Sequence, residues 1–432
     1  SLGIDIGIEL IRFPATEAGL PESCENVDFI IVRENNDDLA NRFMDATKML
    51  QAPLEKLLEV TRPDCLVSDM FFPWTTDAAA KFGIPRLVFH GTSYFALSIG
   101  ECLSTYDPQK YAASESDQFT VPSLPGNINL ARQMLPESKN VSSSFMEIVK
   151  AARESDRTSF GVIVNSFYEL EPMYADFYRS SLGRRAWQIG PVSLFNRDVE
   201  EKATRGKQAT ITNDDCLNWL NSKQPYSVIY VCFGSTSNFT SIQLKQIAIA
   251  LEGSARDFIW VVRRESTAEK EEKDDWLPEG FEVKVEGKGL LITGWAPQVL
   301  ILEHIAVGVF VTHCGWNSTL EGITAGKTMI TWPLFNDQFY NEKFVTEVLK
   351  IGVSLGIRRS VTVYGEFVDS QTIEQAINRV TEDEEADEMR TRAKMLGELA
   401  KQAIEPQGSS SAQFNSLIKE LTSSGISVSQ TS

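Results

Sequence analysis

Apolar residues in the first half of the chain fall into short β-rich runs that alternate with segments of helical periodicity. The helical segments cover 37–60 and 75–82. The apolar runs around them are IGIELIRF (6–13), CLVSDMFF (65–72), PRLVFHG (85–91) and SFGVIVNSF (159–167). Strands that alternate with helices in this way predict a parallel α/β sheet with a strand at each run.

The same alternation starts again after a break near the middle of the chain. Residues 196–215 are charged and have almost no apolar pattern, which is typical of an exposed linker. Beyond them, helical segments separate five further runs: VIYVCFGS, FIWVVRR, GLLITGW, VGVFVTH and TMITWPLF. The pattern predicts two doubly wound domains at 1–195 and 216–410, followed by a C-terminal helix and polar tail at 411–432. One large doubly wound sheet is the alternative.

Length and composition agree with two globular domains and narrow the class of partner. Single cores stop growing near roughly 250–300 residues. This chain has 432 residues, of which 42% are hydrophobic. Its net charge of −18 disfavours nucleic acids and anionic membrane surfaces as partners. Six scattered cysteines, and a sequence without an apolar stretch of about 18 residues, predict a cytoplasmic protein that does not span a membrane.

The ends of the predicted strands are the places to search for a site, because ligands of doubly wound sheets bind beyond the carboxyl ends of the strands. One run ends at His313, and a helix is expected to begin near Asn317 and Ser318. Free backbone N–H groups at a helix N-terminus bind anions. Asn317, Ser318 and Glu321 can project to one side of the first turn, where Glu321 would accept hydrogen bonds from a ribose. Simple capping of the helix by Asn317 and Ser318 is the alternative.

Two more strand ends carry residues suited to a nucleotide sugar. Trp295 is the last residue of the run GLLITGW and follows its predicted strand. It offers a flat face for a base, although a lone Trp is also a common core residue. Asp337 and Gln338 follow TMITWPLF and offer the acceptors and donors that sugar hydroxyls need, although polar loop pairs are often only solvated. Three such clusters in one predicted domain favour a ligand site.

The segment from Trp295 to Gln338 resembles the signature box of the plant secondary-product UDP-glycosyltransferases. The similarity extends to VIYVCFGS, to YNEKFV at 340–345, to GLPESCENVD near the start and to GSSS at 408–411. It therefore covers essentially the whole chain. Within the family, the sequence is most similar to enzymes that glucosylate triterpenoids and flavonoids.

The resemblance implies a GT-B fold, in which two Rossmann-like domains face a cleft, and a metal-independent, inverting transfer of glucose from UDP-glucose by a monomer without a cofactor. It also implies residue roles. Trp295 would stack on uracil with Ala296 and Gln298 nearby, and Glu321 would hold the ribose. The diphosphate would be held by Ser235, His313, Asn317 and Ser318, and the sugar by Trp316, Asp337 and Gln338.

The sequence departs from the family pattern at a few positions of the box. Ile305, Val309 and the pair Lys327–Thr328 replace residues that are usual in the family. All lie outside the set that would contact the ligand. We therefore expect them to affect packing or stability and not donor recognition.

A larger departure concerns the catalytic base. In the family, a histidine near the N-terminus deprotonates the acceptor hydroxyl and an aspartate orients it. Asp69, at the end of a predicted strand, matches that aspartate, with helix capping as its alternative role. No histidine precedes His90. We therefore expect the chain to begin after the segment that carries the base, and we interpret His90 as structural or pocket-lining.

Other reaction classes lack their motifs in this sequence. An oxidoreductase with two nucleotide-binding domains would need a G-x-G-x-x-G turn, and a metal-dependent transferase would need an Asp-x-Asp pair; the sequence contains neither. A protein that binds UDP-sugar without turnover remains an alternative. The predicted acceptor pocket is apolar, and a core role is its alternative. Its candidates are Phe71, Phe72, Trp74, His90, Phe95 and Met134.

Overall fold

Two parallel β-sheets form the framework of this computed structural model. The structure describes residues 6–22, 24–26, 37–135, 143–195, 211–234, 237, 239–262, 276–361 and 365–423. The first sheet has the order β1-β2-β5-β6, the second has the order β12-β11-β10-β7-β8-β9, and β3 and β4 form an antiparallel hairpin. The strands are β1 (Leu66–Asp69), β2 (Arg86–His90), β3 (Gln118–Thr120), β4 (Asn129–Ala131), β5 (Gly161–Val164), β6 (Ala186–Gln188), β7 (Val228–Cys232), β8 (Asp257–Val262), β9 (Gly289–Thr293), β10 (Val307–Thr312), β11 (Thr328–Thr331) and β12 (Gly352–Ser354).

Helices connect the parallel strands and cover the sheets, as parallel pairing requires. The α-helices of the described ranges are α1 (Asp37–Met49), α2 (Gln51–Thr61), α3 (Thr75–Ala80), α4 (Tyr94–Tyr106), α5 (Ser143–Thr158), α6 (Pro172–Asp176), α7 (Asn213–Asn221), α8 (Ser241–Gly253), α9 (Phe281–Lys284), α10 (Gln298–Glu303), α11 (Trp316–Thr324), α12 (Gln338–Lys343), α13 (Ser370–Thr381), α14 (Glu384–Ala403) and α15 (Ser409–Ser423). Side-chain hydroxyls or carboxylates cap several of them: Ser93 caps α4, Thr240 caps α8 and Asp369 caps α13.

The central strands of the second sheet are buried throughout because both of their faces are covered. Every residue of β7, β10 and β11 is buried. Their register aligns the carboxyl ends, since Thr312 at the end of β10 pairs with Cys232 of β7 and with Thr331 of β11. The loops that follow these three strands therefore meet at one edge of the sheet.

The two sheets are separate, so the alternative of one large sheet is wrong. The last helix, α15, crosses back from the second half of the chain to the first sheet. Its Leu417 and Leu421 are buried with Leu87 and Trp187. The residues of the predicted linker at 196–210 lie outside the described ranges. Its last part is already structured, because α7 begins inside it with Thr212 accepting a hydrogen bond from the N–H of Asp215.

The structure corrects three details of the strand assignment. The prediction of a strand at 6–13 is wrong, since none of these residues is in a strand and Ile6, Ile8 and Leu10 are exposed. Among the described residues no strand pairs with this run, and an unpaired strand cannot satisfy its backbone groups. The hairpin of β3 and β4 and the edge strands β6 and β12 were not predicted, because each of these strands is only three residues long.

Direct contacts join the two halves of the molecule on one side. Thr92, which follows β2, donates a hydrogen bond to Asp337 of the second half (3.1 Å). The indole N–H of Trp316 donates to the backbone oxygen of Asn165 (2.8 Å). These bonds hold the carboxyl edges of the two sheets against each other.

Lys327, one of the departures from the family pattern, makes a testable contribution to stability. It is 4% exposed, and its ammonium group donates to the backbone oxygens of Val307 (2.8 Å) and His304 (3.2 Å). Burial lowers the pKa of Lys327 to about 8. We expect Lys327→Ala to lower the free energy of unfolding by about 2–3 kcal/mol in urea titrations, because two carbonyl groups lose their partner.

Lys394 provides the control for this measurement, because its side chain also lies over the Tyr226 ring but is exposed. We expect Lys394→Ala to change the free energy of unfolding by less than about 0.5 kcal/mol. Equal effects of the two substitutions would show that the buried hydrogen bonds of Lys327 contribute nothing.

Candidate active site

A cavity of about 780 Å³ lies where the carboxyl edges of the two sheets meet. Residues of both halves line it, so neither half forms it alone. Polar residues in the lining include Asp69, His90, Thr92, Asp156, Asn336 and Asp337. Apolar residues in the lining include Met70, Phe71, Leu97, Leu103, Leu135 and Val149.

Gln298 connects two of the predicted site residues at the edge of the second sheet. Its amide nitrogen donates to the carboxylate of Glu321 (2.8 Å) and to the hydroxyl of Ser318 (3.1 Å). Its amide oxygen accepts from the hydroxyl of Tyr230 on β7 (3.3 Å). A polar cluster thus spans α10, α11 and β7, and it presents a carboxylate, a hydroxyl and an amide close to the N-terminus of α11.

His313 lies between β10 and α11 and is packed by two glycines. A Cβ atom at Gly234 would approach the His313 ring to 2.6 Å, and one at Gly315 would approach its Nε2 to 2.4 Å. Gly234 also has a φ of +72°, which disfavours any other residue. Burial lowers the pKa of His313 to about 4, so the ring is neutral at pH 7. Its Nδ1 is buried and makes no hydrogen bond to a described residue.

Asn341 fixes the loop after β10 relative to the loop after β11. Its amide donates to the backbone oxygen of Cys314 (2.9 Å) and to the carboxylate of Asp337 (3.1 Å). Cys314 has a φ of 65°, an uncommon conformation for a residue with a side chain. Burial raises the pKa of Asp337, while its bonds to Thr92 and Asn341 oppose that shift. Asp337 is therefore held between the two halves of the cavity.

Trp316 and Gln338 use their side chains for other contacts than those predicted for the sugar. The Trp316 side chain is buried, and its N–H is bonded to Asn165. The amide oxygen of Gln338 accepts from the backbone N–H groups of Leu334 (2.8 Å) and Phe335 (3.1 Å). Neither residue is part of the cavity lining. The Gln338 side chain stabilises the loop that carries Asp337, and the Trp316 side chain joins the start of α11 to the loop after β5.

The remaining predicted donor residues differ in their exposure. Trp295 is half-buried, Ala296 is buried, and Asn317 at the start of α11 is exposed. Ser235 lies outside the described residues. The structure therefore places Trp295, Gln298 and Glu321 at one edge, with His313 and Ser318 beside the helix N-terminus.

The structure brings two of the six residues predicted for the acceptor pocket to this cavity. Phe71 and His90 line the cavity, whereas the other candidates do not. Phe95 packs against Tyr174 (ring centroids 4.7 Å apart), and Met134 is a core residue. Trp74 lines a smaller neighbouring pocket of about 570 Å³, and Phe72 packs against it. Aromatic residues near strand ends belong to the core as often as to a pocket, and sequence alone does not separate the two.

Asp69 lies at the end of β1 and lines the cavity. One of its carboxylate oxygens accepts from the backbone N–H of Phe71 (2.9 Å), which fixes the side chain in a turn. His90 ends the neighbouring strand β2, and Asp156 of α5 lies beside it. Sequence reasoning missed Asp156 and Thr92, because no local motif marks either residue.

Comparison with known proteins agrees with this geometry. Residues 180–392 match the family model described as UDP-glucoronosyl and UDP-glucosyl transferase. Scopoletin glucosyltransferase of Nicotiana tabacum is 52% identical over 98% of this chain and 87% of its own length. UDP-glucose flavonoid 3-O-glucosyltransferase 7 of Fragaria ananassa is 50% identical over 96% of this chain and 86% of its length.

The chain belongs to the plant UDP-glycosyltransferase family. It is therefore a glycosyltransferase that uses a UDP-sugar, and its fold is GT-B. The solved structure of UGT73P12 from Glycyrrhiza uralensis, complexed with glycyrrhetinic acid 3-O-monoglucuronide, superposes with a TM-score of 0.86 at 40% identity. The match covers 96% of this chain and 83% of that one. The predicted family and fold are confirmed.

The described part of this glycosyltransferase contains neither a metal-binding cluster nor a membrane-spanning helix. Within these ranges, no three His, Cys, Asp or Glu side chains are grouped so that they could hold a metal ion. None of the helices there combines the length and the apolar character needed to cross a bilayer. Cys65, Cys102, Cys216 and Cys314 are free thiols.

The burial of His313 predicts a specific dependence of stability on pH. The unfolded chain binds a proton at this residue below about pH 6.5, whereas the folded chain does so only below about pH 4. The contribution of His313 to the free energy of unfolding is therefore fully present above about pH 6.5, and it decreases as the pH falls toward 4. Relative to His313→Asn, we expect the wild type to lose about 3 kcal/mol of unfolding free energy over this window.

His304 is the matched control, because it is partly exposed and burial lowers its pKa to a smaller extent. Urea unfolding at several pH values gives the difference in unfolding free energy between the wild type and each variant. This difference should depend clearly less on pH for His304→Asn than for His313→Asn. Equal slopes for the two histidine variants would contradict the neutral, buried state of His313.

Proposed function

We propose that this enzyme transfers glucose from UDP-glucose, with inversion, to a hydroxyl group of a small apolar plant metabolite. One observation carries the proposal. The cavity is lined by Asp69 of the first sheet and by Asp337 beyond the second, and Asn341 donates hydrogen bonds both to Asp337 and to the loop before α11, the helix that carries Ser318 and Glu321. Donor and acceptor can thus meet between the sheets.

The donor would bind at the edge of the second sheet. Trp295 would stack on uracil next to the backbone of Ala296, and Glu321 would accept hydrogen bonds from the ribose, in place of the present bond from Gln298. The diphosphate would lie at the N-terminus of α11, near His313, Asn317 and Ser318. A neutral His313 contributes a hydrogen bond there and no charge.

The sugar would lie near Asp337 and Thr92, which are joined by a hydrogen bond. Trp316 and Gln338 would act mainly by holding the loops, with any sugar contact of Trp316 coming from its backbone. In the transfer step, the acceptor oxygen forms a bond to the anomeric carbon while the bond to UDP breaks, so the configuration inverts. The leaving diphosphate would be stabilised by helix N–H groups and not by a metal ion.

Proton removal from the acceptor hydroxyl needs a base. We propose that Asp69 orients the histidine base that the family resemblance implies. Asp69 lies at the cavity and has one carboxylate oxygen engaged by the turn. The relatives are named as transferases. The alternative of a protein that binds UDP-sugar without turnover has no support among them.

Flavonoids and triterpenoids are the proposed acceptors. The relatives named for scopoletin and for flavonoids favour flat phenolic acceptors, and the complex of UGT73P12 with a glycyrrhetinic acid glucuronide leaves a triterpenoid as the second candidate. The cavity, at about 780 Å³ and with mostly apolar atoms at its surface, has a volume suited to either class. We further propose that the enzyme acts as a monomer in the cytoplasm.

Product analysis tests this function directly. We expect mass spectrometry to detect glucosides after incubation of the enzyme with UDP-glucose and a panel of flavonols, coumarins and triterpenoid sapogenins. Transfer should continue at the same rate in EDTA, because no step needs a metal ion. Loss of transfer in EDTA with recovery in magnesium, or transfer only from another UDP-sugar, would contradict the proposal.

Substitution of Trp295 tests the donor site independently of turnover. We expect Trp295→Ala to weaken UDP binding in calorimetry by about 1–3 kcal/mol, the range for loss of an aromatic ring stacked on a base. Trp295→Phe keeps an aromatic face and should restore most of the affinity. Unchanged affinity in the alanine variant would place the uracil elsewhere.

A further inference from the structure

His90 and Asp156 form a buried pair at the cavity that the proposed transfer step does not use. The Nε2 atom of His90 lies 3.0 Å from both carboxylate oxygens of Asp156. The His90 side chain is 2% exposed and that of Asp156 is 8% exposed. A carboxylate only accepts hydrogen bonds, so Nε2 carries a proton and Asp156 fixes the orientation of the ring.

The other ring nitrogen of His90 has no hydrogen-bond partner in the part of the chain that the structure describes. Nδ1 is buried and makes no hydrogen bond to any residue of the described ranges. Nδ1 carries either a lone pair or a proton, and burying either one without a hydrogen-bond partner costs free energy. A ligand hydroxyl can both accept and donate, so it satisfies Nδ1 in either state.

The side chains of His90 and Asp69 lie on opposite faces of the first sheet. In the parallel register Asp69 pairs with Phe89, so their side chains share one face of the sheet. His90 follows Phe89 and therefore lies on the opposite face, toward α5, which carries Asp156. On this side the cavity is lined by Leu97, Glu101, Val149 and Ala152 of α4 and α5.

Two further polar residues, Glu101 and Tyr178, line this side of the cavity beside His90. Glu101 is 8% exposed and forms an ion pair with Arg184 (2.5 Å). Tyr178 also lines the cavity; burial raises the pKa of its hydroxyl well above the usual value, and Asp156 and Glu101 add to the effect. The group thus offers an oriented imidazole and a protonated phenol beside apolar side chains.

We propose that Nδ1 of His90 binds a hydroxyl group of the acceptor other than the one that receives the sugar. Asp156 is then a positioning residue that acts through the His90 ring. The inference rests on the proposed function and extends it, because it makes the enzyme selective for acceptors with at least two hydroxyl groups. Sites that hydrogen-bond a substrate hydroxyl discriminate strongly against analogues that lack it.

Two variants of His90 separate the two ring nitrogens. His90→Gln places an amide where Nε2 contacts Asp156 but has no polar atom at the position of Nδ1. His90→Asn keeps a polar atom attached to Cγ, as Nδ1 is, but does not reach Asp156. Leu97→Ala is the control, because it shortens an apolar side chain of the same cavity. Thermal unfolding of each variant shows whether it is folded.

The experiment measures kcat/KM for quercetin and for analogues that each lack one of its hydroxyl groups, with UDP-glucose as donor. It also measures acceptor affinity by calorimetry in the presence of UDP. We expect His90→Gln to lower kcat/KM about 10- to 100-fold for quercetin and for every analogue but one. For the analogue that lacks the bound hydroxyl, wild type and variant should agree within about twofold. His90→Asn should retain part of the discrimination, and Leu97→Ala should lower kcat/KM equally for all acceptors.

A loss of the same size for every analogue would overturn the proposal, since it would show a purely structural role for His90. That outcome leaves the proposed function intact as long as the wild type produces glucosides. Failure of the wild type to bind any member of the series would contradict both proposals, and the calorimetric measurement distinguishes this case from slow transfer.

Discussion

Parallel pairing of β7, β10 and β11 is the constraint on which the candidate site depends. Because the three strands end in register at Cys232, Thr312 and Thr331, the loops after them meet at one edge. Those loops carry His313 and Asp337, and the helix after β10 begins beside them with its N–H groups free to bind an anion. A shift in this register would separate the residues that we assign to one nucleotide sugar.

Buried carboxyl groups hold the surrounding elements in place on both sides of the cavity. Glu171 accepts hydrogen bonds from the backbone N–H groups of Tyr94 (3.1 Å) and Phe95 (2.8 Å), which fixes the start of α4. Glu342 accepts from Thr331 (2.9 Å) and Ser354 (3.1 Å), which links α12 to β11 and β12. Burial raises the pKa of each carboxyl group to about 7. Each therefore positions an element that lines or supports the cavity.

The grouping of Gln298, Ser318 and Glu321 could be predicted from the sequence because these residues lie within one continuous segment. Gln298 and Glu321 belong to the same motif, and the alternation of strands and helices places both at one sheet edge. The side-chain directions within the segment could not be predicted, as the inward positions of Trp316 and Gln338 show. Those directions depend on contacts with Asn165 and with the loop backbone.

The acceptor side depends on contacts between residues far apart in the chain. His90 and Asp156 are separated by 66 positions, and Thr92 and Asp337 by 245. No local pattern encodes such pairs, so the sequence indicated His90 only as a structural or pocket-lining residue and did not indicate Asp156. The apolar run at 6–13 failed as a strand for a related reason, because pairing depends on a partner and not on the run itself.

A crystal structure of the protein with UDP tests the central claim most directly. The account predicts uracil against Trp295, ribose hydroxyls at Glu321 in place of Gln298, and the diphosphate at the N-terminus of α11 beside His313. UDP bound elsewhere, or bound at this edge with a metal ion bridging its phosphates, would contradict it.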